Sequence, residues 1–292
     1  MRPRGVFAGL LLALTWAASA AGAEPLHDRP HCQHGLFCIA AERQGEQITL
    51  WLETETTRPL TLVVQPLAEG LEGPSAPLRL HTDRPARQLL ARFRIARPGD
   101  WRLDWSYSFH PGHVRADHAP EAPYRLPYPP GRAYRVLQGA EGEFSHRGPL
   151  GHAIDWAMPL GAEIRAARGG QVIGLRDDAG DGGRDPALRG QENYLWIRHP
   201  DGTVGHYLHL LQDSLLVALD ERVVAGQPIA RAGNSGFSTE PHLHFHVATP
   251  TPDGPEAFQT FPLQFDLGDG PARPLEAGRS YRAPGNVRAS QD

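Results

Sequence analysis

Hydrophobic and polar residues alternate along much of the N-terminal half of the chain. Short strands are predicted in four segments between residues 47 and 109, which are QITLWLETE, LTLVVQPL, ARQLLARFRI and WRLDWSYSF. Because successive side chains of a strand point to opposite faces, this period of two is typical of half-buried β-strands. Gly, Pro and Asp residues separate the segments and indicate turns. The pattern predicts a small β-sandwich-like domain.

A similar pattern returns after about residue 134, with glycines at the turn positions. Strands are predicted within AEIRAARGGQVIGLRD, ENYLWIRHPDGTVGHYLHL and ERVVAGQPIARAGNSG, and one or two closing strands are predicted near FQTFPLQF. The segment LLQDSLLVA could form a helix or an irregular connection. The whole chain is therefore predicted to be all-β.

Composition marks the start of the chain as a separate segment. Residues 1–23 place Arg2 and Arg4 before an apolar run and two small-residue cleavage patterns, which is typical of a secretory signal peptide. A membrane anchor is the alternative, but the apolar run is shorter than the ~20 residues that a spanning helix needs. No later segment meets this requirement, so we expect an exported protein, periplasmic or extracellular, without a stable membrane span.

A proline-rich stretch divides the remainder of the chain. Its prolines restrict the backbone and lack ladder donors, so it is predicted to be a linker or a wrapping segment. His110 and His113, which flank a Pro-Gly pair ahead of it, are interpreted as residues of a solvated turn. The predicted divisions are an N-terminal β domain of residues 24–117, the proline-rich linker of residues 118–133, a second domain of residues 134–265 and a C-terminal extension of residues 266–292.

Charge and cysteine content narrow the possible partners. The formal charge is −4, and without residues 1–23, which hold two arginines and no acids, it becomes 27 − 33 = −6. This balance gives no indication of a nucleic-acid partner, and no feature indicates an oligomeric state. Cys32 and Cys38 are the only cysteines. An oxidising compartment would allow them to form a small disulfide loop, whereas two thiols alone cannot complete a metal site.

Histidines give the second domain its specific chemistry. In the segment EPHLHFHV, His242, His244 and His246 occupy alternate positions, so in a strand their imidazoles share one face. Short histidine-rich tracts often bind metal, and the alternative is a solvated polar face.

Strand parity selects further candidates. In AIDWAM, Asp155 and His152 point to opposite faces, so His152 turns away from a metal that Asp155 faces. A Gly-Pro break separates His146 from this strand, and a loop there could fold back. In VGHYLHL, His209 lies on the face opposite Val204 and Leu208, which makes it the site candidate and makes His206 a packed or hydrogen-bonded residue.

Three motifs of the second domain, HAIDWAMPLGAEIRAARGGQVI, YLHL and GNSGFSTEPHLHFHV, follow one another in a characteristic order. In order and spacing they resemble the lysostaphin-type zinc metallopeptidases, which cleave peptide cross-links of bacterial peptidoglycan. The resemblance covers roughly residues 134–250 and implies a β-rich peptidase domain with an open groove and a Zn²⁺ cofactor. It does not extend to the predicted N-terminal domain, which we expect to limit access to the groove.

The resemblance also implies a role for each candidate residue. Asp155 and His244 would hold the zinc ion, while His209 and His242 would flank the zinc-bound water as general base and oxyanion donor. His246 would lie beyond coordination reach.

The resemblance identifies the third zinc ligand less directly. Gly151 occupies the position four residues before Asp155, where the commonest form of the motif has a histidine. Exported members with a Ser-His pair and a longer loop imply His146 as this ligand, with His152 as the alternative.

The implied function is an exported zinc metalloendopeptidase that hydrolyses peptidoglycan cross-links through a zinc-activated water. In a wall without glycine bridges, the bond would join D-alanine to the diamino acid. One alternative is a catalytically silent regulator of cell-wall amidases with the same fold, which would lack the metal ligands that this chain can supply. Another is a cupin, which needs a Glu soon after His-x-His, whereas the first acid here is Asp253.

Overall fold

The structure is a computed structural model. The structure describes residues 24–25, 30–33, 36–54, 58–112, 114, 116–142, 145–180, 182–253 and 257–285. The predicted signal peptide, residues 1–23, and His113 lie outside the described residues. Within the described part, the chain forms strands and two short 3₁₀ turns, Gly148–Leu150 and Pro186–Leu188, without an α-helix. The all-β prediction is confirmed, and the segment of residues 210–218 is an irregular connection.

The strands are numbered in chain order. They are β1 (Glu24–Pro25), β2 (His31–Gln33), β3 (Phe37–Gln44), β4 (Gln47–Thr54), β5 (Leu60–Glu69), β6 (Leu71–Glu72), β7 (Leu78–Thr82), β8 (Ala86–Ile95), β9 (Arg102–Pro111), β10 (Tyr124–Arg125), β11 (Ala133–Gln138), β12 (Ile154–Ala157), β13 (Glu163–Arg165), β14 (Gly170–Arg176), β15 (Gly182–Gly183), β16 (Tyr194–Arg198), β17 (Val204–Leu208), β18 (Arg222–Val223), β19 (Pro228–Arg231), β20 (Gly236–Phe237), β21 (His242–Pro250), β22 (Phe258–Thr260), β23 (Phe265–Asp266) and β24 (Ser280–Arg282). No helix in the described ranges has the length and apolarity that a membrane crossing requires.

The chain divides into two compact units. The smaller unit falls within Met1–Thr56, Pro66–Ala76 and Pro85–Asp104, and the larger unit within Thr57–Gln65, Pro77–Arg84 and Trp105–Asp292. The chain therefore passes between the units several times before residue 105. The domain boundaries drawn from the sequence stay a prediction.

The smaller unit is built on a sheet with strand order β1-β3-β4-β8-β6, and β2 pairs with β3. On β4 the side chains of Ile48, Leu50 and Leu52 are fully buried, as the alternation predicts. Cys32 and Cys38 lie opposite each other on β2 and β3 and form a disulfide. The disulfide loop that the sequence allows is therefore closed.

The larger unit contains a nine-stranded sheet with the order β18-β14-β16-β17-β21-β12-β11-β24, in which β22 also pairs with β21. Strand β21 runs antiparallel to β17 on one side and to β12 on the other. Its residues Leu243, Phe245 and Val247 are fully buried on one face, where each contributes ~1.5–3 kcal/mol of burial free energy. The other face carries the three alternate histidines.

Part of the proline-rich stretch belongs to this core. Tyr124, Leu126 and Tyr128 are buried in the same apolar cluster as Phe245. The hydroxyl of Tyr128 donates a hydrogen bond to the carbonyl oxygen of Tyr281, at 2.9 Å. Residues 124–128 therefore wrap onto the larger unit and help to form its core.

His110 is not the solvated turn residue that the sequence predicts. Strand β9 continues through Pro111, so His110 is still in the strand and is only 1% exposed. Its Nε2 atom lies 2.9 Å from Nε2 of His206, as a hydrogen-bonded pair. Burial lowers the pKa of His110 to about 3, so the ring is neutral at physiological pH. His206 is buried and hydrogen-bonded, as predicted.

Candidate metal centre

The register of two strands brings Asp155 and His244 together. Asp155 on β12 lies directly opposite His244 on β21, so both side chains project from the same face of the sheet. His244 Nδ1 lies 2.8 Å from Asp155 Oδ1, and both residues are buried. Regular strand pairing alone therefore positions two of the predicted ligands.

His146 reaches the same place from a loop. It precedes the 3₁₀ turn Gly148–Leu150 and is completely buried. Its ring Nδ1–H donates a hydrogen bond to the carbonyl oxygen of Gly139, at 2.9 Å. Its Nε2 lies 3.1 Å from Asp155 Oδ2 without hydrogen-bond geometry and has no other partner among the described residues.

These contacts fit a metal ion. Each of His146, Asp155 and His244 offers one ligand atom, and these atoms lie within 4.8 Å of one another. In the neutral ring with Nδ1 protonated, the Nε2 lone pair of His146 faces a carboxylate oxygen, and a metal ion between these two acceptors would bind both. The carbonyl behind His146 fixes its tautomer in the manner usual for a ligating histidine.

The electrostatics of the cluster keep Asp155 anionic. Burial alone would raise the pKa of this carboxyl, but the neighbouring imidazoles of His244 and His146 hold it well below its usual range. The side-chain amide of Gln138 donates a further hydrogen bond to Asp155 Oδ2, at 3.1 Å. For His146, the interaction with Asp155 outweighs burial and raises the imidazole pKa. The cluster thus provides one negative charge for a cation.

His209 and His242 form a pair beside the cluster, with ring centroids 4.6 Å apart. His209 Nδ1–H donates to the carbonyl oxygen of Ser235, and His242 Nδ1–H donates to that of Glu240, each at 2.8 Å. The opposite atom of each ring, Nε2, is therefore the free acceptor in the neutral tautomer. His242 Nε2 lies 4.0 Å from Asp155 Oδ1.

Both imidazoles are neutral at physiological pH. Burial, followed by the nearby imidazoles, lowers the pKa of His209 to about 3, and burial also lowers the pKa of His242. His209 lies just after the end of β17 and has a left-handed backbone with φ of 62°. It reaches the site from this bend and not from the regular strand on which the parity argument relied.

His152 is not part of the metal-type cluster found among the described residues, whereas His146 is. The parity argument against His152 does not apply, because β12 begins at Ile154 and His152 lies in the preceding turn. Its backbone N–H donates to Thr260 Oγ1, at 3.1 Å. The turn, and not strand alternation, sets the position of His152.

His246 lies behind His244, on the side away from Asp155. Its Nδ1 is 3.0 Å from His244 Nε2, and its ring stacks on His206 with centroids 4.4 Å apart. His206 in turn contacts His110. If His244 held a metal through Nδ1, its Nε2–H would donate to His246, and His246 would then orient the ligand.

Sequence reasoning did not identify two supporting residues. Gln138, opposite Asp155 in the β11–β12 register, binds both Asp155 and the hydroxyl of Ser145. Ser238 Oγ lies 3.2 Å from His242 Nδ1. The GNSGFSTEPHLHFHV motif contains Ser238, whereas no pattern in the sequence distinguishes Gln138 from any other strand residue.

An open cavity of about 1320 Å³ lies against four of the candidate site residues. Asp155, His209, His242 and His244 line it, together with apolar side chains that include Leu137 and Phe237. Its volume exceeds that of a typical small-molecule site, which suits an extended peptide.

Comparison with known proteins confirms the resemblance inferred from the sequence. Residues 150–254 match the family model described as Peptidase family M23. Asp155, His209, His242 and His244 lie within the matched residues, and His146 lies just before them.

Two curated relatives show the extent of the similarity. The peptidoglycan DD-endopeptidase ShyB of Vibrio cholerae is 34% identical over 125 residues, which cover 41% of this chain and 26% of that protein. The outer membrane antigenic lipoprotein B of Haemophilus influenzae is 35% identical over 112 residues, which cover 38% of this chain and 24% of that protein. The chain thus spans about a quarter of the length of these relatives.

Among solved structures, the catalytic domain of lysostaphin from Staphylococcus simulans is 21% identical and matches 44% of this chain and 87% of that chain, with a TM-score of 0.30. A TM-score of this size adds nothing to the description of the fold.

Proposed function

We propose that this protein is a zinc-dependent metalloendopeptidase that hydrolyses the peptide cross-links of bacterial peptidoglycan. The observation that carries the proposal is the convergence of the His146, Asp155 and His244 ligand atoms beside the His209–His242 pair, next to one open cavity. The family match over residues 150–254 and the similarity to a peptidoglycan DD-endopeptidase support it.

A zinc ion held by His146, Asp155 and His244 would supply a water of lowered pKa and a Lewis acid for the peptide carbonyl. His209 and His242 supply the proton transfers. Because their Nδ1 protons are bound to backbone carbonyls, each neutral ring accepts a proton only at Nε2. One ring takes the proton of the attacking water, and an imidazolium so formed returns it to the leaving amine.

The location follows from the same reasoning. The signal-peptide pattern of residues 1–23 and the similarity to an outer membrane lipoprotein support a position in the cell envelope or outside the cell. The proposed partner is therefore peptidoglycan. The regulator of amidases stays the weaker candidate, because the described residues can fill every ligand position.

The test is digestion of purified peptidoglycan by the purified protein, followed by mass analysis of the released peptides. We expect cross-linked dimers to be converted to monomers, a chelator to stop the conversion, and added zinc to restore it. Unchanged dimers in the presence of the zinc-loaded protein would contradict the proposal. Stimulation of an added amidase in that case would identify the regulator.

A further inference from the structure

One cationic side chain stands out in the cavity wall. Arg189 follows the 3₁₀ turn Pro186–Leu188, and its guanidinium carbon lies 4.6 Å from the ring centroid of Phe237. Both side chains line the cavity that contains the metal cluster. An aromatic ring beneath a guanidinium holds its plane in place and leaves its N–H groups available for hydrogen bonds.

The loop that carries Arg189 is held by local hydrogen bonds. The carboxylate of Asp185 accepts from the backbone N–H of Ala187, at 2.9 Å, and the N–H of Arg189 donates to the carbonyl oxygen of Pro186. The Asn193 side chain bonds both the N–H and the carbonyl oxygen of Ala179 across the base of the loop. Arg189 therefore projects from an ordered segment.

Phe237 is tied to the proposed catalytic residues. It pairs with Gly183 in the short β15–β20 ladder, and the N–H of the next residue, Ser238, donates to the carbonyl oxygen of Gly183. The hydroxyl of Ser238 contacts His242 Nδ1. Phe237, whose ring lies against the guanidinium, is thus followed directly by Ser238, and the side chain of Ser238 contacts the proposed proton-transfer residue His242.

The charges around Arg189 define what it can bind. Among the described residues that line the cavity, it is the one arginine, and the carboxylates are those of Asp155, Glu141, Glu192, Glu240 and Glu276. Glu276 pairs with Arg279, at 2.9 Å, whereas no described carboxylate pairs with Arg189. The carboxylates of the cavity wall repel anions, so among its described side chains the Arg189 guanidinium is the favourable position for a substrate carboxylate.

We propose that Arg189 binds a free carboxylate on the substrate residue that contributes the nitrogen of the scissile amide. This inference rests on the proposed peptidase function and identifies the substrate class within it. Two sources share this chemistry. One is a cross-link whose diamino acid keeps a carboxylate on the carbon that bears the amide nitrogen, and the other is the terminal residue of an uncross-linked peptide stem.

The test compares the wild-type protein with the Arg189→Gln variant on matched peptide substrates. Each peptide is made with either a carboxylate or a carboxamide on that carbon, in a cross-linked and a linear form. We expect Arg189→Gln to lower kcat/KM for the carboxylate peptides ~10- to 100-fold and to leave the carboxamide peptides within about twofold. Arg184→Gln, an exposed arginine of the same loop outside the cavity wall, is the matched control and should change neither.

A binding measurement separates this inference from the proposed function. Affinity of the zinc-loaded His242→Ala protein for the same peptides, with and without Arg189→Gln, needs no turnover. Weaker binding of the carboxylate peptides alone supports the inference even if the wild-type protein proves inactive. Equal effects on carboxylate and carboxamide peptides, or no effect on either, would overturn it. The form that loses more, cross-linked or linear, identifies the source of the carboxylate.

Discussion

The Nε2 atom of His146 is the residue-level feature that most clearly separates a metal ligand from a packed histidine. It is buried, faces a carboxylate oxygen at 3.1 Å and lacks a hydrogen bond. A neutral histidine that served only packing would leave this polar atom unpaired at a cost of ~1–3 kcal/mol.

We therefore expect His146→Ala to lose most of its bound zinc and His152→Ala to retain it. The reason is that only His146 adds a ligand atom to the cluster with Asp155 and His244. Metal content of the two purified variants, normalised to protein, checks this. A zinc-free His152→Ala protein would show that the loop before Asp155 adopts a different arrangement when metal is bound.

The residues of the candidate site differ in how far the sequence could predict them. Strand alternation predicts that His242 and His244 share one face, and the resemblance adds Asp155 to the predicted site. Alternation could not place His146 or His209, because the first lies in a loop and the second at a bend with positive φ. His110 was misinterpreted, because sequence alternation does not show that β9 continues up to Pro111.

At the scale of elements, long strands with a clear period of two were predicted well. Strands β4, β5, β8 and β9 cover the four predicted N-terminal segments almost completely. The two-residue strands β10, β15, β20 and β23 could not be predicted, since two residues carry no period and their pairing depends on tertiary contacts. The β15–β20 ladder is an example of such a tertiary contact. Its backbones approach so closely that a Cβ on Gly182 would lie 1.5 Å from the carbonyl oxygen of Asn234.

The β16–β17 hairpin contains a buried histidine that should make stability depend on pH. Burial lowers the pKa of His199 to about 4, only partly offset by its hydrogen bond to the carbonyl oxygen of Gly169, and Arg168 lowers it further. An unfolded histidine has a pKa near 6.5. Between these values His199 in the unfolded chain binds more protons than in the folded protein, so its contribution to stability is greatest above pH 6.5 and decreases as the pH falls towards 4.

We expect His199→Gln to weaken this dependence, because glutamine can still donate to Gly169 and does not titrate. Between pH 7 and pH 4.5 the wild-type protein should lose roughly 2–3 kcal/mol more unfolding free energy than the variant. Urea unfolding at both pH values measures the difference. Parallel losses in the two proteins would mean that His199 is protonated in the folded state.

At the scale of the whole molecule, the proline-rich stretch matters for folding as well as for connection. Tyr124 contacts the rings of Phe245 and Phe265 edge-on or tilted, with centroids 6.2 Å apart in each case. Truncation at residue 130 therefore removes core side chains of the larger unit together with all residues that precede them. An access test of the N-terminal part needs a chain that begins before Tyr124.

We expect residues 130–292 to melt at least ~10 °C below residues 118–292, because the shorter chain lacks the buried side chains of Tyr124, Leu126 and Tyr128. Both chains lack β1 to β9, so the comparison isolates this segment. Thermal unfolding followed by circular dichroism measures the two midpoints. Equal midpoints would show that the wrapping segment adds no stability.

The most direct test of the proposed metal centre and catalytic pair measures zinc stoichiometry and cross-link turnover together in three variants. His244→Ala should lose the metal and the activity, since it removes a ligand atom. His209→Ala and His242→Ala should keep one zinc ion per chain and a native melting temperature, yet lose at least ~10²-fold in turnover. Near wild-type turnover in either zinc-loaded variant would contradict the assignment of proton transfer to this pair, and zinc loss in His242→Ala would make it a ligand instead.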